Sequence, residues 1–136
     1  MRIPCDAIYL DIDYMDGFKC FTWDKSRFPN PKKMISDLEE KGFKTVVMID
    51  PGIKIDKDYW VYQEGVENDY FCKRADGAFM KGKVWPGECN FPDFTNPKVR
   101  EWWAELYKEM MSEIGVHAVW NDMNEPAVME VPTKTA

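Results

Sequence analysis

Two stretches of the chain repeat one pattern of apolar and polar positions. The first reads "NPKKMISDLEEKGFKTVVMIDP" and the second "NPKVREWWAELYKEMMSEIGVHAVWNDMNEP". Each begins with an Asn that can cap a helix whose first position is Pro, Asn30 with Pro31 and Asn96 with Pro97. Met34, Ile35 and Leu38 fall on one helical stripe, and Val99, Trp103, Leu106, Met110 and Ile114 on a longer one. Both helices are predicted to stop at a glycine, Gly42 and Gly115. After each glycine comes a short apolar run without clean alternation, "FKTVVMI" at 43–49 and "VHAVW" at 116–120, the pattern of a strand buried on both faces of a parallel sheet. "AIYLDI" at 7–12 supplies a third strand.

The predicted order is strand, helix, strand, long insertion, helix, strand, which is an α/β arrangement with a parallel sheet. The insertion, about residues 51–95, shows little helical period and is predicted to hold short strands or a hairpin in "DYFCKRADGAFMKGKVWPG", turning at Ala75-Asp76-Gly77. Length and composition narrow the class. A chain of 136 residues with 45% hydrophobic and 15% aromatic content suits one packed unit rather than two domains or a disordered segment. The net charge of −6 and the lack of a basic stripe argue against nucleic-acid binding. No apolar run approaches the roughly 20 residues of a membrane span, so no membrane partner is expected. Cys5, Cys20, Cys72 and Cys89 form no CxxC, and His117 is the only histidine, so four reduced, mostly buried thiols are expected rather than a zinc site.

Placing the acids on this frame brings out the chemistry. Asp11 and Asp13 in "LDIDYMDG", Asp50 in "MIDP" and Asp122 in "WNDMNEP" all fall at or just beyond the C-terminal ends of predicted parallel strands. That edge is where α/β folds, and (β/α)8 barrels above all, assemble active sites. No glycine-rich phosphate loop follows any strand. Carboxylates without a phosphate loop suit a neutral, hydroxyl-rich substrate, with Trp23, Trp85, Phe91 and Phe94 available to pack on sugar faces. Structural readings stand beside these. "DIDYMDG" could be a solvated turn or a calcium loop, although the later acids of an EF-hand are missing. Asp50 could merely end a strand before Pro51, and Asn124 and Glu125 could hold their loop through backbone hydrogen bonds.

Four blocks, "LDIDYMDGFKCFTWDKSRFPNP", "VVMIDPGIK", "WPGECNFPDFTNP" and "VWNDMNEP", occur together in this order, and with them the chain resembles the family 31 glycoside hydrolases, in particular their α-glucosidase branch. The resemblance runs from about residue 8 to 133. It implies a partial (β/α)8 TIM barrel, about strands 2 to 4, with residues 1–136 as a single fragment of the catalytic barrel. It also implies an α-glucoside or oligosaccharide substrate and no cofactor or metal. By position, Asp122 takes the role of catalytic nucleophile, while Asp11, Ile12, Ile49, Trp85, Trp120 and Met123 line the sugar pocket. The family's acid/base is an aspartate on a later strand, and Glu125 is too close in sequence to Asp122 to replace it across a sugar ring. His117 matches neither that role nor the family's sugar-binding histidine.

Three parallel strands cannot close a barrel and leave two edges unpaired. The isolated chain is therefore expected to be inactive and to self-associate. A non-catalytic carbohydrate-binding module and a metal-dependent glycosyl transferase reading "DID" as a metal motif remain as alternatives. So do an α-xylosidase or α-glucosyl transferase of the same family.

Overall fold

The computed structural model describes residues 3–125 and 127–129. Its centre is a three-stranded parallel sheet of β1 (Ala7–Leu10), β2 (Lys44–Ile49) and β6 (Ala118–Asn121), in the order β1-β2-β6. Helix α1 (Pro31–Glu40) connects β1 to β2, and α3 (Pro97–Glu109) leads into β6. Both helices start as predicted. The Asn30 side chain accepts from the Lys33 N–H at 3.0 Å, and that of Asn96 from the Lys98 N–H at 3.0 Å. The second helix widens into a π turn over Met110–Ile114 before Gly115, at φ 93°, reverses the chain. The Val116 N–H then bonds back to the Met110 carbonyl at 3.3 Å, which satisfies a carbonyl at the helix end.

Register decides which side chains share a face. Val46 pairs with Tyr9 and Ala118, Met48 with Trp120, and Ile49 with Asn121. Because the pleat alternates, Tyr9, Val46, Met48, Ala118 and Trp120 lie on one face, and Leu10, Val47, Ile49, Val119 and Asn121 on the other. Helix α3 sits on the second face: the Tyr107 hydroxyl donates to Asn121 Oδ1 at 2.5 Å. Ile35 of α1, Leu106 of α3 and Met110 join Val47 and Ile49 in the main core cluster.

Only β2 is buried on both faces. In β1 and β6, expected to be equally buried, Tyr9 remains 64% exposed and Trp120 40% exposed. The physical reason is position, since each of these strands has one neighbour in this sheet and β2 has two. His117, just before β6, ties the elements together: its Nδ1 accepts from the Thr45 N–H at 3.2 Å and its Nε2 lies 3.1 Å from Glu39.

The insertion departs further from expectation. It contains a helix, α2 (Trp60–Glu67), whose short apolar pattern around Gly65 gave no clear period. A second, antiparallel sheet joins β3 (Ile53–Lys54), β4 (Lys81–Val84) and β5 (Gly87–Asn90), in the order β3-β5-β4. Its hairpin turns at Trp85-Pro86. The predicted turn at Asp76-Gly77 also forms, closed by the Arg74 N–H to the Ala78 carbonyl at 2.8 Å, but it links only the single bridge Lys73–Phe79. All four cysteines are free. Cys20 and Cys89 are buried, Cys72 is half-buried, and Cys5, near the chain start, is exposed.

Candidate active site

The C-terminal edge of the parallel sheet collects Asp11, Asp50 and Asp122. Asp122 directly follows β6, and its N–H bonds to the Ile49 carbonyl at 3.0 Å, which extends the β2–β6 ladder by one step. Asp50 and Asp122 are therefore register neighbours on adjacent strands, about 4.8 Å apart along the hydrogen-bonding direction. The pleat places both on the face of Met48 and Trp120. After Asp122 the backbone turns sharply: Met123 has φ 57°, a left-handed conformation unusual for a non-glycine residue. The Asn124 side chain donates to the Asp122 carbonyl at 2.9 Å, and the Ala127 N–H bonds to the Met123 carbonyl at 3.1 Å. Asn124 thus plays the loop-holding part that its polarity allowed. Met123 also packs against Met80, Val84, Cys89 and Phe91 of the insertion.

Asp50 differs sharply from Asp122 in its surroundings. It is 3% exposed, against an intermediate exposure for Asp122. Its Oδ1 accepts from the Gly52 N–H at 3.3 Å and lies 4.0 Å from the Cys20 thiol, which donates to the Asp50 carbonyl at 3.0 Å. Burial pushes the Asp50 carboxyl up to about 6, the Gly52 N–H offsets part of that rise, and the Asp122 charge adds to it. Burial and the Asp50 charge together also raise the Cys20 thiol.

The insertion closes on this edge. A Cβ on Gly52 would meet the Val84 Cγ2 methyl of the hairpin at 2.4 Å, so glycine lets the loop backbone lie against the Val84 side chain here. That contact fixes β4 beside the Asp50 loop and leaves its next residue, Trp85, at the hairpin tip and 49% exposed. A cavity of about 170 Å³ opens between Pro51, Met80, Phe91, Phe94 and Asn124.

Asp11 follows β1 and uses its carboxylate to cap a short 3-10 turn, accepting from the Ile12 N–H at 2.7 Å. Ile12 is half-buried against the main core. Ile49, by contrast, is 1% exposed and lies on the helix-covered face with Val47. The pleat takes it away from Asp50 and Asp122, and Met48 is the residue of β2 that shares their face. Met48 is therefore an addition to the residues singled out by sequence, beside Asp50, which was already placed at the strand end. The signal was available, since a strand alternates and Asp50 fixes the parity of its neighbours.

Most of the aromatic residues expected near the sugar are structural. Trp23 packs on Tyr14 at 4.7 Å, Phe91 is buried, and Phe94 meets Trp103 edge-on at 5.3 Å. In "DIDYMDG" the acids are answered by cations, Asp13 by Arg27 at 3.7 Å and Asp16 by Lys19 at 2.9 Å. Among the described residues, no three His, Cys, Asp or Glu side chains are grouped to hold a metal ion.

A parallel sheet with helices on one face and carboxylates gathered at its C-terminal edge is the layout of a segment of a (β/α)8-barrel enzyme. The model for the glycosyl hydrolases family 31 TIM-barrel domain matches residues 1–136, and this chain belongs to that family. It is 53% identical over 133 residues to alpha-glucosidase 2 of Bacillus thermoamyloliquefaciens, covering 98% of this chain and 17% of that protein. Among solved structures, it superposes on a family 31 alpha-glucosidase from Bacteroides thetaiotaomicron with a TM-score of 0.84 and 53% identity, covering 98% of this chain and 22% of that one. It is also similar to the glucosidase II alpha subunit, with a TM-score of 0.86, 43% identity and coverage of 93% and 14%. The chain thus spans less than a quarter of the length of each of these relatives.

Proposed function

We propose that this chain is the nucleophile-bearing part of the catalytic barrel of a retaining α-glucosidase, and that Asp122 is the nucleophile. The observation that carries this reading is the position of Asp122, half-exposed where β6 emerges at the rim of the sheet, in a family whose relatives are named as alpha-glucosidases. In a retaining glycosidase one ionised carboxylate attacks the anomeric carbon and a second, protonated carboxyl about 5–5.5 Å away assists the leaving oxygen. Asp122 suits the first task. Asp50 does not suit the second, because a carboxyl 3% exposed has no access to a leaving group. The acid/base therefore comes from outside residues 1–136.

Asp11, Trp120, Met123 and Trp85 are the proposed sugar contacts, with Ile12 supporting Asp11; Ile49 is left out of this set because the pleat turns it towards the helices. The experiment is turnover of an aryl α-glucoside by the complete protein and by its Asp122→Ala variant. Loss of turnover by several orders of magnitude in a folded variant supports the reading, whereas unchanged turnover favours a binding module without catalysis at this site. The isolated 136-residue chain, lacking a general acid, is expected to be at least about 10²-fold slower than the complete protein.

A further inference from the structure

The loop that follows Asp122 is held by more than its own hydrogen bonds. Met123 has φ 57°, and a residue with a side chain stays in the left-handed region only where its surroundings over-determine it. Within the loop, the Ala127 N–H bonds back to the Met123 carbonyl at 3.1 Å. Further restraint comes from the insertion. Met123 and Val128 both pack against the buried cluster of Met80, Val84, Cys89 and Phe91, and the Met129 N–H donates to the Lys83 carbonyl of β4 at 2.9 Å.

At Gly82 of β4 the hairpin and the loop meet closely. An added Cβ would stand 3.0 and 3.1 Å from the two methyls of Val128 and 2.9 Å from the Phe91 ring. Gly82 is not among the glycines with positive φ, so its bareness serves space rather than backbone conformation. The surface it offers is firm. Its strand partner Cys89 is fully buried, and the Asn90 side chain, 1% exposed, donates to the Met80 carbonyl at 2.6 Å. The loop is seated on this surface at both ends, by Met123 directly after Asp122 and by Val128 and Met129 further on.

Resting on the assignment of Asp122 as nucleophile, we propose that Gly82 and Val128 are positioning residues for it. The bare patch of β4 at Gly82 seats Val128, and the seated loop holds the Met123 turn that aims the Asp122 carboxylate. On its other side the Asp122 backbone is fixed by its N–H bond to the Ile49 carbonyl. A shift of about 1 Å in a reacting group costs on the order of 10²-fold in rate. Loosening the seat therefore slows attack on the sugar more than it weakens sugar binding.

The test uses the complete protein containing this chain. A mechanism-based α-glucoside inhibitor reports the rate of attack, and an uncleaved aryl α-thioglucoside reports reversible binding. Gly82→Ala is expected to slow labelling of Asp122 by about 10- to 100-fold while thioglucoside affinity stays within about threefold. Val128→Ala, which removes packing without adding bulk, should slow labelling several-fold. Combining Gly82→Ala with Val128→Ala removes the overlapping methyls, so the double variant should label at least about fivefold faster than Gly82→Ala alone. Labelling at the wild-type rate in folded Gly82→Ala, an equal loss of labelling and thioglucoside affinity, or no recovery in the double variant would overturn the proposal. If Gly82→Ala does not fold, Val128→Ala is judged by the same two readouts. A wild-type label on a different carboxylate would remove the nucleophile assignment and the proposal with it, whereas a wild-type label on Asp122 keeps that assignment whatever the variants do.

Discussion

Asp50 and Asp122 occupy paired positions on adjacent strands, and burial makes the Asp50 carboxyl hold its proton more tightly than an ordinary aspartate does. Burial raises the folded-state value of Asp50 to about 6, whereas an unfolded aspartate titrates near about 4. Between those values the folded protein binds a proton that the unfolded chain has released. Stability therefore falls as pH rises through this window and levels off above about 6. The contribution amounts to about 2–3 kcal/mol at most. Asp50→Asn has no such group to ionise, so its denaturant midpoint at pH 7 should exceed the wild type's, and the two should converge towards pH 4. Parallel curves for the two proteins across that range would contradict the burial account. Parity in the pleat, at the same scale, separates Ile49 from its neighbours: sequence blocks gave the strand, and the hydrogen-bond register gave the face.

Among the elements, those with strong local signals were legible. Asn-Pro starts and glycine stops marked both α1 and α3, because capping is local chemistry that needs no tertiary partner. Helix α2 was not legible. Its eight residues include Gly65, which packs so closely on Phe71 that an added side chain would meet the ring at 2.2 Å, and its stability comes from that packing rather than from its own period. The hairpin at Trp85 was missed for a related reason, since the turn signal at Asp76-Gly77 was stronger locally while β4 and β5 are aligned by contacts with the Asp50 loop. Gly52→Ala tests that alignment. The new methyl would overlap Val84, and overpacking of this kind destabilises by about 1–3 kcal/mol. The variant should lose stability and also lose α-glucoside turnover at temperatures where it is still folded. Wild-type stability and turnover would show that the hairpin moves aside without consequence.

For the whole molecule, the sheet is the decisive feature. The outer sides of β1 and β6 carry no paired strand among the described residues, and Tyr9 and Trp120 stand exposed on one face. Backbone donors and acceptors left open at strand edges, together with apolar surface, favour association. The isolated 136-residue chain is expected to sediment as dimers or larger species at micromolar concentration. A monodisperse monomer would mean that the edges are protected in some other way. The class of molecule was readable from the four sequence blocks that resemble family 31, and the acids at strand ends already pointed to one edge of the sheet. What sequence could not supply was solvation: that Asp50 is buried and Asp122 is not follows from how the insertion folds over β2.

The most direct test of the central claim is covalent trapping. A mechanism-based α-glucoside inhibitor, incubated with the complete protein and followed by peptide mass spectrometry, should leave one glycosyl adduct on the peptide containing Asp122. Fragmentation should assign it to that carboxylate, and Asp122→Ala should remain unlabelled. An adduct on Asp11, Asp50 or Glu125, or undiminished labelling of the variant, would contradict the account.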